Sequence, residues 1–507
     1  MPPFPPGRPG SLTPDQEAKL RELWLATLRV FGVWAPPPPS ESANGSATPT
    51  PAPSVANSDA GGSDTTTKKK KGGRLGLFRS RHGDKDSSEA TASEAGSGTA
   101  TPTSTAGAGV APAELAIDED DKHGLGKAFK AALADEPPAR LRDAFWAMVK
   151  HDHPDGLLLR FLRARKWDVN AALVMMVSTM HWRATEMRVD EDVMRKGEQG
   201  ALEDATKATT PQLKKEGEDF MAQVRMGKSF LHGVDKEGRP LCHVRVRLHR
   251  QGEQSESSLE RYTVYTIETA RMLLRPPVDT ATIIFDMTNF SMANMDYTPV
   301  KFMIRCFEAN YPESLGAVIV YKSPWIFQGI WNIIRGWLDP VVASKVHFAR
   351  TVDELSEFIP RSHIIAELGG DEDWAYEYTE PGPDENAPMR DGGARRDELL
   401  AERADIVARY EAALLAWIKR GQTPAADEKA PVAPADEAAR GLRDALASEL
   451  RENYWRLDPY VRARSLYDRT GMIGQRGELR FYGDGKAGGS SQAGRKESGG
   501  GAEDDLD

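Results

Sequence analysis

The side chains that could do chemistry lie in a few short runs. His151-Asp152-His153-Pro154-Asp155 brings two imidazoles and two carboxylates together, a donor set that zinc accepts. A closed site needs further ligands, and none follows, so the run reads as a loop between helices. Gly227-Lys228-Ser229 has the ending of a phosphate-binding loop. The glycine required five positions earlier is Ala222, and a strand rather than a helix follows, so the backbone cradle cannot form. The loop from Asp286 to Asn294 has one acid, Asp286, and no Lys or His partner. There is no GxSxG, no HExxH, and no pair of carboxylates at helical spacing beside a nucleophile. Cys242 and Cys306 are far apart with no CxxC, which indicates neither a disulfide framework nor a zinc site. The expectation is binding without turnover: no enzyme, no metal.

Cations gather in two places. In LLLRFLRARKWDV, Arg160, Arg163, Arg165 and Lys166 accumulate where a helix ends, and cations there favour the helix dipole. KKKKGGRLGLFRSRH, in the segment 68–82, has no acid. Its interleaved Leu75, Leu77 and Phe78 fit weak binding to anionic lipid, and a solvated run or import signal fits equally well. Nearby Ser and Thr could tune such binding by phosphorylation. A net charge of −10 argues against nucleic acid as a partner. No apolar run resembles a signal peptide, and no span reaches about twenty apolar residues. A cytoplasmic, reduced chain is expected.

The elements that must position these residues follow from periodicity. Residues 11–34 form one amphipathic helix, capped by Thr13 with Pro14 and Gln16, striped by Leu20, Leu23, Trp24, Leu28 and Phe31. So short a helix must dock its stripe elsewhere. Residues 35–119 are Ser, Thr, Ala, Gly and Pro with few large apolar side chains, and are expected to be disordered. Residues 120–200 read as a small helical lobe, with Asp168 capping its third helix. A larger lobe, 215–380, alternates strands with helices. Ser229–Val234 and Leu241–Leu248 pair as a hairpin. A helix carries Leu259, Tyr262, Thr266, Ala270 and Leu273, and a buried strand ends at Asp286. A helix opened by Thr298 and Pro299 bears Val300, Met303, Ile304, Phe307 and Tyr311 on one face. Strands at Ala317–Tyr321 and Lys345–Arg350 complete a mixed α/β sheet covered on one side. Residues 381–393 read as a linker and 394–482 as a helical extension. Its two stripes are Leu399, Ile406, Tyr410, Leu414, Trp417 and Leu442, Leu446, Leu450, Tyr454, Leu457, both suited to docking with the first helix. The Gly-rich tail, 483–507, is expected to be disordered.

Within the larger lobe, Trp325 to Pro340 (WIFQGIWNIIRGWLDP) is apolar almost all round, with one interior charge, Arg335. Such a helix is buried or meets lipid. Lys322, Pro324 and Pro340 make it too short to span a bilayer. It reads either as a core helix or as a movable lid over an apolar cavity.

LLLRFLRARKWDV, DKEGRPL, FDMTNFS, CFEANYPESLG, WLDPVVASK and FIPRSHIIAELGG occur in this order over residues 130–380. Together they resemble the CRAL-TRIO lipid-binding family, and most of all its fungal phosphatidylinositol transfer proteins. The resemblance implies a three-helix lobe, then a mixed-sheet lobe holding one lipid beneath a gate helix at Trp325–Leu338. It also implies inositol-phosphate contacts at Arg165, Lys166, Glu313 and Lys345, with Val342 replacing a family threonine. A phosphorylated headgroup wants guanidinium and ammonium donors, and inositol hydroxyls want a carboxylate acceptor. The family's phosphatidylcholine site corresponds to Leu231, Cys242, Ala281 and Ile283, where every hydroxyl is lost. Either these are ordinary core substitutions or the choline headgroup is excluded. Phe327, Ile330, Trp331 and Ile334 are expected to meet acyl chains when the gate is closed and the bilayer when it is open.

The expectation is therefore a monomeric lipid-transfer protein, peripherally associated with membranes, with no cofactor beyond a bound lipid, phosphatidylinositol. The alternatives are a sensor or scaffold that holds a phosphoinositide or a neutral lipid (sterol, isoprenoid) without delivering it, and a lipid phosphatase.

Overall fold

The computed structural model describes residues 5–34, 121–421 and 434–482. The expectations for the linker 35–119, its basic segment 68–82 and the tail 483–507 fall outside the described residues.

Helix α1 (Pro14–Val30) starts at the Thr13–Gln16 capping box, and all five stripe residues are buried. The helical lobe follows as α2 (Leu125–Asp135), α3 (Pro138–Val149), α4 (Pro154–Ala164) and α5 (Val169–His181). His153 caps α4 by accepting the Asp155 N–H, and Asp168 caps α5 by accepting that of Ala171. Helices α6 (Arg195–Lys207) and α7 (Pro211–Arg225) lead to the sheet.

The sheet has five strands in the order β1 (Ser229–Val234), β2 (Pro240–Arg245), β3 (Ala281–Asp286), β4 (Leu315–Tyr321) and β5 (Val346–Ala349). β1 and β2 pair antiparallel, and every later neighbour is parallel. The crossovers are α8 (Glu256–Met272), α9 (Tyr297–Arg305), and a pair formed by α10 (Phe327–Arg335) and α11 (Pro340–Ser344). Parallel strands added one after another with crossovers of one hand put all these helices on one face. Here the structure corrects the expected one-sided cover. Phe230, Ile284 and Ile319 on the back face pack against Leu355 of α12 (Val352–Leu355) and against Ile359, Ile364, Ile365 and Leu368. An open back face would leave these strands half in water.

A π-helical turn at Cys306–Asn310 follows α9 and shifts the helical phase. Tyr311 therefore leaves the face shared by Val300, Met303, Ile304 and Phe307. It is buried against Trp182, and its hydroxyl donates to Glu268 at 2.9 Å.

The extension is continuous with this core. The expected linker contains a short helix, α13 (Ala387–Asp391), before α14 (Gly393–Gly421) and α15 (Pro434–Val461), which pack along each other, with α14 also against α1. The second stripe needs one correction: Leu442 is 52% exposed, and Arg443 takes the inward position. Arg443 points at Asp155, whose carboxylate also accepts from Trp24 of α1 and Tyr410 of α14. Burial alone would raise the Asp155 pKa, but the Arg443 guanidinium holds it below the usual range. The run His151–Asp155, read as a loop between helices, thus supplies a helix cap at His153 and an ion-pair hub at Asp155. Beyond α16 (Leu466–Arg469), Met472 and Ile473 close the sheet edge at β1.

Candidate functional site

Alternation along the strands decides what the front of the sheet offers. The register places Leu231, Cys242, Ile283, Val318 and Val346 in one row across all five strands. One step along lie Val244, Phe285 and Val320. All of these side chains except Leu231 floor a cavity with about 1610 Å³ of empty space, part of it continuous with solvent. Leu259, Tyr262 and Thr266 of α8 form one wall, Val300, Met303 and Ile304 of α9 another, and Phe327, Trp331 and Ile334 of α10 the roof. The lining is overwhelmingly apolar, as in sites that bury a hydrophobic ligand.

The helix of the roof is shorter than Trp325–Leu338, running from Phe327 to Arg335. Three of its four expected cavity residues face the space. Ile330 instead packs beside it with Met287 and Val320, 6% exposed. The outer side is also greasy: Trp325 is 88% exposed, and Ile326 and Ile333 are exposed too. The roof is held at its end by Glu308, whose carboxylate accepts the Asp339 N–H and pairs with Lys122 and His123.

Of the four positions expected to grip inositol phosphate, Glu313 and Lys345 are brought together, with Nζ 3.8 Å from the carboxylate. They lie just before β4 and β5. Arg165 forms the C-cap of α4, and Lys166, next to it, is exposed. The end of α4 is tied to the Glu313 turn through Arg160, which donates to the Glu313 carbonyl at 2.7 Å. Arg163 instead pairs with Asp279 and is structural. Lys166 and Glu313 share an uncommon feature, a left-handed backbone, with φ of 52° and 53°. Strained residues of this kind concentrate at ligand sites.

Leu231, Cys242 and Ile283 form three consecutive places of the front row, and Ala281 lies one step back along β3, paired with Leu315. Cys242 and Ile283 line the cavity, whereas Leu231 is covered, its N–H donating to Tyr467 at 2.8 Å. The hydroxyls and ring nearest to hand are already used. Tyr262 bonds both backbone groups of Ser229, Tyr265 donates to Glu198, and His243 lies on the back face stacked on Phe230. Burial pushes the Cys242 thiol up to about 12, so it is a neutral apolar group here.

Sequence reasoning missed two features. Lys228, set aside with the failed phosphate loop, lines the cavity and is 6% exposed. Its signal was a lysine directly preceding a buried strand. The cover from Tyr467 had no local signal, because it depends on a contact more than two hundred residues away.

A mixed sheet with all crossovers on one face, roofing an apolar cavity, defines the class of the fold. A family model described as the CRAL/TRIO domain matches residues 224–370, and one described as its N-terminal domain matches residues 127–178. The chain belongs to the CRAL/TRIO family. It is 48% identical over 337 residues to "CRAL-TRIO domain-containing protein C3H8.02" of Schizosaccharomyces pombe, covering 66% of this chain and 69% of that one. It is 43% identical over 338 residues to "Phosphatidylinositol transfer protein CSR1" of Eremothecium gossypii, covering 66% and 72%. Among solved structures, "Crystal structure of Sfh5" matches with 17% identity and a TM-score of 0.29, over 40% of this chain and 66% of that one. Among the described residues no helix is long and apolar enough to cross a membrane.

Proposed function

We propose that this protein binds one phosphatidylinositol molecule and carries it between membranes. The observation that carries the reading is the apolar cavity under α10, with the Glu313–Lys345 pair just before Leu315 and Val346 of its lining. The acyl chains lie along the sheet floor, and the inositol phosphate is gripped by Lys345, Arg165 and Lys166, with Glu313 accepting from ring hydroxyls. The transfer-protein name of one relative supports the same ligand. Phosphatidylcholine is not a ligand, because its phosphate and choline would be buried against Cys242 and Ile283 without partners.

The role of α10 is a gate. Its inner side chains cover lipid while its exposed Trp325, Ile326 and Ile333 meet the bilayer, and opening exchanges the first contact for the second. The reading is transfer without turnover, by a chain that visits membranes and works as a monomer.

Transfer of labelled phosphatidylinositol from donor to acceptor liposomes tests this. Protein-dependent movement of the label is expected. Stable binding without movement would identify a sensor, and release of inorganic phosphate from labelled phosphoinositides would identify an enzyme.

A further inference from the structure

Lys228 is the residue that the phosphatidylinositol reading leaves unused. It precedes β1, and its carbonyl accepts the N–H of Arg245, so it lies level with the last residue of β2. Register then carries that level to Asp286 on β3 and Tyr321 on β4. Glu313 precedes Leu315, the first residue of β4. At about 3.3 Å per residue the two levels are separated by roughly 20–26 Å along the strands. Lys228 therefore lines the cavity at one end of the sheet, and the Glu313–Lys345 pair lies toward the other, just before the lining residues Leu315 and Val346.

The surroundings of Lys228 are those of an underpaired charge. Its acceptor is Gln254 Oε1, at 2.8 Å, and no carboxylate lies within ion-pair distance of it among the described residues. Glu253, Asp296 and Asp219 act on it from a distance. Asp219 is held by Lys215 and the Ser255 N–H, while Asp296 caps α9 and lies 3.4 Å from His249 Nε2. Burial lowers His249, with Lys228 adding to that effect, and burial lowers Lys228 to about 8. Arg245, which also lines the cavity, is paired with Glu367. One ammonium with nearby acids matches a single negative charge and disfavours a dianion.

We propose that Lys228, with Gln254, forms a second headgroup subsite that binds the carboxylate of a single-chain fatty acid, its hydrocarbon running along the sheet floor. Such a ligand is apolar along its length, as the lining residues Cys242 and Ile283 are, and anionic at its tip. The proposal rests on the cavity and not on the phosphoinositol cluster, so each can fail without the other.

The test uses the full chain, stripped of lipid, and oleate labelled with carbon-13 at the carboxyl group. Wild type should bind oleate, with the carboxyl resonance shifted to that of a paired carboxylate. Lys228→Met should lose about 10- to 100-fold in oleate affinity, the worth of one charge-assisted contact. Lys228→Arg should recover much of that loss. Oleyl alcohol, which lacks the charge, should bind both proteins alike, and phosphatidylinositol loading should be unchanged in Lys228→Met. A lysophosphatidate arm should bind more weakly than oleate. Equal oleate affinity in wild type and Lys228→Met would overturn the proposal, as would preference for lysophosphatidate. Loss of oleate in Lys166→Ala/Lys345→Ala rather than in Lys228→Met would place the carboxylate at the other end and overturn it too.

Discussion

The carboxylate of Glu308 accepts the backbone N–H of Asp339 at 2.7 Å, fastening the π turn after α9 to the end of the roof. The same carboxylate pairs with Lys122, which also donates to the Trp337 carbonyl. Burial would raise Glu308, but His123 and Lys122 hold it below the ordinary range. If α10 acts as the proposed gate, this is the contact that its opening must break. A hydrogen bond to a charged group is worth about 1.5–3 kcal/mol, so Glu308→Ala should speed lipid release roughly tenfold or more. Stopped-flow release of a fluorescent phosphatidylinositol to liposomes measures it, and an unchanged rate would mean that the latch does not limit opening.

The two faces of α10 make separable predictions. Trp325 is exposed, so Trp325→Asp should lower liposome binding about tenfold and leave the fold and the bound lipid intact. Trp331 lines the cavity and packs edge-on against Phe348, so Trp331→Asp should empty the cavity instead. Sedimentation with liposomes and lipid extraction read the two effects. Global unfolding by both variants would make α10 a fixed core helix.

The choline prediction needs no variant. Wild-type protein incubated with mixed liposomes should retain phosphatidylinositol and not phosphatidylcholine. Each buried polar group without a partner costs on the order of 1–3 kcal/mol, and Cys242 and Ile283 offer none. Stoichiometric phosphatidylcholine in the extract would show that another set of donors holds it.

Much of this was legible in local patterns. Apolar runs between turns gave the strands, and caps at Thr13 and Asp168 gave helix starts, because both depend on neighbours in the chain. The candidate cluster was legible in part: Glu313 and Lys345 do meet, each lying just before a parallel strand. What failed depended on phase or distance. The π turn moved Tyr311 off the α9 face, and Arg443 displaced Leu442 because it had a carboxylate to reach. Lys228 was overlooked because a failed nucleotide motif was read as no motif.

Asp155 tests how the extension is held. It is buried and paired with Arg443, so Asp155→Asn leaves a buried guanidinium without its charge partner and should cost about 3–5 kcal/mol. The Asp155 pKa is depressed in the folded state, so its stabilisation is present above its unfolded value near 3.9 and is lost as pH falls through the folded value. The gap between wild type and Asp155→Asn, from urea unfolding, should be full at pH 7 and should shrink below about pH 4. A gap under about 1 kcal/mol at pH 7 would mean that Arg443 finds another acceptor.

The central claim is that the cluster at the Glu313–Lys345 end holds phosphatidylinositol. The most direct measurement is mass spectrometry of lipid retained by wild type and by Lys166→Ala/Lys345→Ala after incubation with phosphatidylinositol liposomes. Losing two charge-assisted contacts should cost on the order of 3–6 kcal/mol. The account predicts one phosphatidylinositol per wild-type chain and almost none in the variant, with matching melting curves for the two lipid-free proteins. Equal phosphatidylinositol in the folded variant would contradict it.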